Sequence, residues 1–263
     1  MASWKAAVAL FVLGVCVAAV SGEGAGVPSE SEARLAAGDA ASAKLDLAAT
    51  LAAYRAAHEL APQSFQASWK LARALTDKAT LSRDRAEQKA LYLEAEALAR
   101  RAIELDPAGA QGHDYLAIAV GKLALYEGGK RKVELAREVK AEAERALQLD
   151  ANDDLALHAL ALWNRELASL GWVLRSFAQL LYGKLPPASL EVAIADLRRA
   201  ATLRPDVIPH HVELGITLAG ATRWAEARVE LEKGLALPTG WVTDEYYRAL
   251  ARSNLEQVRT HVK

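Results

Sequence analysis

The chain is poor in the residues that most site chemistry needs. Its one cysteine, Cys16, lies in the N-terminal segment, so disulfides, zinc–thiolate sites and cysteine nucleophiles are excluded from the remainder. Three Phe and seven Tyr are present, and runs of alternating strand formers are missing after residue 25. Ala and Leu, strong helix formers, supply much of the 52% hydrophobic content. These features predict an all-α protein. Neither sign of charge dominates, with 32 Lys plus Arg against 33 Asp plus Glu. That balance gives no electrostatic reason to expect nucleic acid or an acidic membrane surface as partner.

Enzyme signatures are also missing. There is no His-Glu-x-x-His, no Gly-x-Ser-x-Gly and no Walker-type loop. "EGGKRK" at 127–132 has glycines and lysines, but not in the spacing that wraps phosphate. His210 and His211 are adjacent, and neighbours on a helix point about 100° apart, which makes shared metal ligation awkward. A structural role is expected for both. Asp153-Asp154 follows a helix end and is expected to cap the next helix. No cofactor and no metal are expected, and the protein is read as a non-enzyme.

The N-terminus has a separate character. One lysine precedes the fifteen-residue apolar run "AAVALFVLGVCVAAV", and small polar residues follow. This is the layout of a secretory signal peptide, with Ala19-Val20-Ser21 as cleavage site. The run is short against the ~20 residues a membrane span needs. The expected organisation is a signal peptide at 1–21, a flexible linker at 22–30 and a helical domain at 31–263. Export to the periplasm or outside the cell follows, with no stable membrane span in the mature chain. The alternatives are an uncleaved N-terminal anchor and a lipidated Cys16.

What the sequence does contain is repetition. "YRAAHELAP" ends at Pro62, "RRAIELDP" at Pro107, "ERALQLDA" at Ala151 and "RRAATLRP" at Pro205. Small residues before each ending share one helical face: Ala57; Ala95, Ala99 and Ala102; Ala143 and Ala146; Ala193 and Ala200. They allow a neighbouring helix to come close, and the proline stops the helix and opens the next. After Pro205, His211-x-x-Leu214-Gly215-x-x-Leu218 matches the first helix of a tetratricopeptide repeat, and the same offsets recur after Pro62, Pro107 and Ala151. The expected fold is an all-α, tetratricopeptide-like helical-hairpin solenoid. The endings are 45, 44 and 54 residues apart, against a period of about 34 in that class. Inserted segments near 78–86, 126–134 and 168–188 therefore lengthen the repeats. The third carries Trp172, Val173, Phe177, Leu180 and Leu181, which form one side of an expected helix over 170–183 that packs on the solenoid.

Four stretches carry a closer resemblance: "SWKLARAL" at 68–75, "YEGGKRK" at 126–132, "LHALALW" at 157–163 and "LYGKLPPASLEVAIADLRRAATLRP" at 181–205. Over about residues 60–240 the chain resembles the tetratricopeptide domain of the regulator of microtubule dynamics protein family. The resemblance implies a binding role, and more weakly a link to microtubules, tubulin or organelle contact sites.

The leading functional expectation is a protein-interaction scaffold that takes a partner protein or peptide in the concave groove of the solenoid. Seven residues beyond each repeat ending stand Trp69, Asp114, His158 and Val212, and four further stand Arg73, Ile118, Leu162 and Ile216. Trp69, Arg73, Asp114, His158 and Arg165 are the expected groove residues, because Trp and Arg dominate binding hot spots. Lys130, Arg131 and Lys132 form a second candidate, a basic docking face. Glu127, Glu134, Glu138 and Glu142 interleave with it, which favours a surface neutralised by i,i+4 pairs.

Overall fold

Polar caps begin most of the helices. Ser29 opens the first with a reciprocal capping box to Glu32, and Asp46, Ser64, Asp84, Asp153 and Ser189 each accept a backbone N–H from the helix they start. The computed structural model describes residues 28–170 and 187–261. Its helices, in chain order, are α1 Glu30–Ala43, α2 Leu47–Leu60, α3 Phe65–Leu81, α4 Arg85–Leu105, α5 Ala110–Leu123, α6 Gly129–Leu149, α7 Asp154–Ala168, α8 Leu190–Leu203, α9 Ile208–Gly220, α10 Trp224–Ala236 and α11 Asp244–Arg259. Among the described residues there is no strand. The helical unit starts at Ser29–Glu30, just before the expected boundary. The segments expected as signal peptide and as the 170–183 helix lie outside the described residues, Leu170 excepted.

Consecutive helices pack as hairpins: α1 with α2, α3 with α4, α5 with α6, α7 with α8 and α9 with α10. The first helices also pack on one another, α3 on α5, α5 on α7 and α7 on α9, and α11 closes against α9 and α10. Two layers result, one of first helices and one of second helices. The repeat-ending alanines sit at the crossings. Ala57, Ala95, Ala99, Ala102, Ala143, Ala146, Ala193 and Ala200 are all fully buried.

Leucines fill the space between crossings. Leu71, Leu75, Leu116 and Leu135 are at most 2% exposed, worth about 1.5–3 kcal/mol each. The buried apolar residues form two principal clusters. One runs from Tyr54 to Leu135 and Val139, and also takes in Trp163 and Leu167. The other runs from Ala161 through Ile194, Leu197, Val212 and Leu231 to Val258.

Two details differ from the sequence reading. Pro62, Pro107 and Pro205 do not open the next helix. Each sits in the turn, two residues after the last helical residue, and the next helix starts three residues later. The extra repeat length is also taken up differently. The α3–α4 connection is residues 82–84 alone, while α3, α4 and α6 run to 17, 21 and 21 residues against 13 or 14 in α1, α2, α9 and α10. The α3–α4 and α5–α6 hairpins are lengthened by extra helical turns, while the extra length between α7 and α8 falls mostly outside the described residues.

The repeat is written in polar contacts too. His113 contacts Glu142 through Nδ1 at 2.6 Å and the Pro107 carbonyl through Nε2 at 3.2 Å. His211 does the same with Glu230 at 2.8 Å and the Pro205 carbonyl at 3.1 Å. In each of these two repeats one imidazole ties the turn to the second helix. On the outer layer, Arg55–Glu94, Arg100–Glu138 and Arg198–Glu226 link second helices of adjacent hairpins. Their exposure limits each to about 0–1 kcal/mol.

Gly215 shows how tight the crossings are. A Cβ there would lie 2.6 Å from Leu231 Cγ and 3.1 Å from the Ala227 carbonyl. Ala at this position gains about 1 kcal/mol of helix propensity but overpacks the α9–α10 crossing at a cost of about 1–3 kcal/mol. Gly215→Ala is expected to lower the melting temperature with helicity unchanged, read by circular dichroism.

Candidate functional site

Among the described residues, the first-helix layer carries a series of partly or fully buried aromatic and ionisable side chains. α3 contributes Trp69, Arg73 and Asp77 at i, i+4 and i+8, so they line one face. The Trp69 ring stacks on Tyr115 of α5, centroids 5.9 Å apart and 9° from parallel. The Arg73 guanidinium lies against three rings: Tyr54 at 5.7 Å, Trp69 at 5.5 Å and Trp241 at 4.9 Å. It donates to the Tyr54 hydroxyl at 2.8 Å, and its buried Nε has no partner among the described residues. Tyr54 donates in turn to Asp39, which holds Lys70 at 2.7 Å. Burial raises the Tyr54 phenol, and the bond to Asp39 adds to this.

Asp77 is met from the far end of the chain. Trp241, in the loop before α11, donates its indole N–H to both carboxylate oxygens at 3.1 Å. Burial pushes the Asp77 carboxyl up to about 7, against the Trp241 bond and the Arg73 charge, which hold it down. α3 and the loop before the last helix thereby touch across 164 residues of sequence.

Further along the layer, α5, α7 and α9 are joined by paired polar groups. The His158 and His210 rings meet Nδ1 to Nδ1 at 2.9 Å, and His210 Nε2 contacts Asp154 at 2.8 Å. Burial holds His158 well below the usual imidazole range, and the neighbouring His210 adds to this. Arg165 donates to Glu213 at 2.6 Å and to Thr217 at 3.2 Å. Lys122 lies in the same stretch, its amine pushed down by burial. Asp114 is 3% exposed. Burial raises its carboxyl to about 9, and Asp153 adds to this by charge and hydrogen bonding. Asp114 Oδ1 is buried without a partner among the described residues, and Asp153 caps α7 by accepting from Ala156 at 3.0 Å.

Trp69, Arg73, His158 and Arg165 thus fall on the first-helix layer, all partly buried, and each bridges to a neighbouring element. Asp114 belongs to the frame rather than to an open surface. Asp153 caps α7 as expected, whereas Asp154 pairs with His210. Asp77 was legible from the same i+4 spacing that picked out Trp69 and Arg73. Trp241, Tyr115 and Glu213 were missed, since their roles come only from contacts between repeats. Ile118, Leu162 and Ile216 are partly buried on the same helices. The basic residues stand apart on the first turn of α6. Lys130, Arg131 and Lys132 are exposed, and Lys130 and Arg131 each approach Glu134 at 3.7 Å. Among the described residues no group of three or more His, Cys, Asp or Glu could hold a metal ion, and no helix is long and apolar enough to cross a membrane.

Stacked hairpins with small residues at the crossings define a tetratricopeptide-like solenoid. The structure aligns with a thermophilic TPR protein from Thermus thermophilus at a TM-score of 0.64 and 18% identity, covering 86% of this chain and 99% of that one. The chain belongs to the family described as regulator of microtubule dynamics protein 1-3, whose model matches residues 34–259. It is 33% identical over 139 residues to regulator of microtubule dynamics protein 1 of Homo sapiens, covering 52% of this chain and 44% of the relative. It is 25% identical to the Caenorhabditis elegans protein of the same name, over 72% of this chain and 83% of the relative. The matched stretch therefore spans less than half of the human relative.

The Asp114 site yields a pH prediction. The folded carboxyl titrates near 9 and the ordinary one near 3.8. Between those values the folded chain keeps a proton that the unfolded chain releases. This contribution to stability is full below about pH 4 and falls away as pH rises toward 9. Asn in place of Asp keeps the neutral shape without the titration. Asp114→Asn is expected to melt like the parent near pH 4 and increasingly above it from pH 6 to 9, as measured by thermal scans across that range.

Proposed function

We propose that the protein is a non-enzymatic interaction scaffold that binds an extended protein or peptide segment along the concave, first-helix face of its solenoid. The observation that carries this reading is the concentration on that face of Trp69, Arg73, His158 and Arg165 together with the partly exposed apolar row Ile118, Leu162 and Ile216. Aromatic and arginine anchors beside apolar contacts are the composition of binding hot spots, and solenoids of stacked hairpins use such extended surfaces for recognition. Export by the segment 1–21 is part of the proposal, and N-terminal sequencing of the protein from its native host tests it by showing a start near Gly22.

The scaffold reading is tested with partners captured from the native host on the immobilised protein and identified by mass spectrometry. Trp69→Ala and Arg73→Ala are each expected to weaken capture of the same partner by at least about tenfold, the size of a hot-spot loss, with melting temperature little changed. Capture unaffected in both variants, or unfolding of both, removes the site.

A second reading has its own support. The family relation and the names of the relatives favour a microtubule-associated adaptor, with an organelle-contact adaptor of the same type as its variant and with Lys130, Arg131 and Lys132 as the docking face for an acidic tubulin surface. Co-sedimentation with assembled microtubules is expected to fall when all three are changed to Ala, and to fall with added salt. Equal pelleting of both proteins at low salt refutes that face.

A further inference from the structure

The loop between α10 and α11 behaves as a ligand of the chain's own first hairpins. Residues 238–240 are exposed. The segment is held in shape from its own side: the Asp244 carboxylate accepts the Gly240 and Trp241 backbone N–H groups at 2.8 Å each, and Arg248 donates to the Leu237 carbonyl at 2.7 Å and to Thr239 Oγ1 at 2.8 Å. Thus fixed, it presents the Trp241 side chain to α3. There Asp77 takes the indole N–H on both oxygens, and the Arg73 guanidinium covers the ring at 4.9 Å.

Both contacts select for indole. A phenyl ring has no N–H for Asp77, and a tyrosine places its hydroxyl elsewhere on the ring. A guanidinium on an aromatic face also favours Trp over Phe or Tyr. The contact nevertheless stands apart from the apolar core. Trp241 belongs to neither of the two principal apolar clusters. A small cleft remains beside it, lined by Ser42, Leu45, Leu47, Thr50 and Val242 along with the three contact residues. Arg73 Nε stays buried without a partner among the described residues. The receptor is therefore shaped for an indole yet incompletely satisfied by the one it holds.

We infer that Arg73 and Asp77 form an indole-binding subsite of the scaffold groove, filled here by Trp241 as an internal, displaceable ligand, and that the external ligand is an extended peptide segment presenting a tryptophan. The inference rests on the reading of the first-helix face as a binding surface. Internal occupancy makes the site autoinhibited: apparent affinity for the external segment is reduced by the fraction of molecules in which Trp241 has left.

The test uses the full chain and a capped synthetic peptide with the chain's own sequence from Ala236 to Tyr247, titrated by calorimetry. Trp241→Ala is expected to bind this peptide at least about tenfold more tightly than the parent, the gain for a site that its own loop occupies nine-tenths of the time. Binding is expected to vanish when the peptide's tryptophan is replaced by alanine, and when Asp77→Ala is added to Trp241→Ala. Should Trp241→Ala not fold, Trp241→Phe keeps an aromatic ring beside Arg73 while losing the indole N–H and the second ring, and carries the same comparison. Equal binding by parent and variant, indifference to Asp77→Ala, or no binding by any folded form overturns the inference. Each of these outcomes leaves the scaffold reading to its own test at Trp69, so the two fail separately.

Discussion

A single helical hairpin of this chain has no second side on which to bury its apolar face, and the fold depends on how closely the next hairpin can approach. That distance is set by alanines and glycines with no exposed surface. Ala95, Ala99 and Ala102 on α4, and Gly215 against Leu231, let backbones come near enough for Leu71, Leu116 and Leu197 to reach across. A larger side chain at any of these points would push two helices apart, and the leucines on both sides would lose contact together. Stability is consequently spread over many small crossings rather than invested in a few large aromatic anchors, in keeping with a composition of three Phe and abundant Ala.

Polar groups follow the same repeat but play two roles. On the outer layer, exposed ion pairs between second helices set register at little net energy. On the inner layer, the pairs are drier and each joins one first helix to another element: His158 to His210, Arg165 to Glu213, Asp114 to Asp153. Dry polar contacts penalise any arrangement in which a partner is missing. They specify which first helix stands beside which, a choice that interchangeable alanine contacts leave open. The same groups give the inner face its chemical individuality, since the α5–α7 and α7–α9 contacts use different side chains.

Much of this was readable in the sequence. The buried alanines lie where the spacing of the repeat endings put them, because that spacing reports a local property, one face of one helix. The Asp153 cap is local in the same sense. The prolines were misassigned by a few residues: a proline is equally tolerated in the turn after a helix and in the first turn of the next, and its neighbours do not distinguish the two. The repeat lengthening was legible as inserted segments, but not its form: "LSRDR" and "YEGGKRK" span short connections and helix ends, and the flanking helices extend. The meeting of Trp241 with Asp77 had no sequence signal. It depends on the summed rotation of every intervening hairpin, which no local spacing encodes.

That meeting changes what kind of array this is. In an open solenoid the terminal repeats have one neighbour each, and disorder enters from the ends. Here the loop before the last helix is tied to α3, so separating the two ends of the array has to break the Trp241 contacts. The protein gains some of the character of a closed ring, in which opening is a discrete event at one indole.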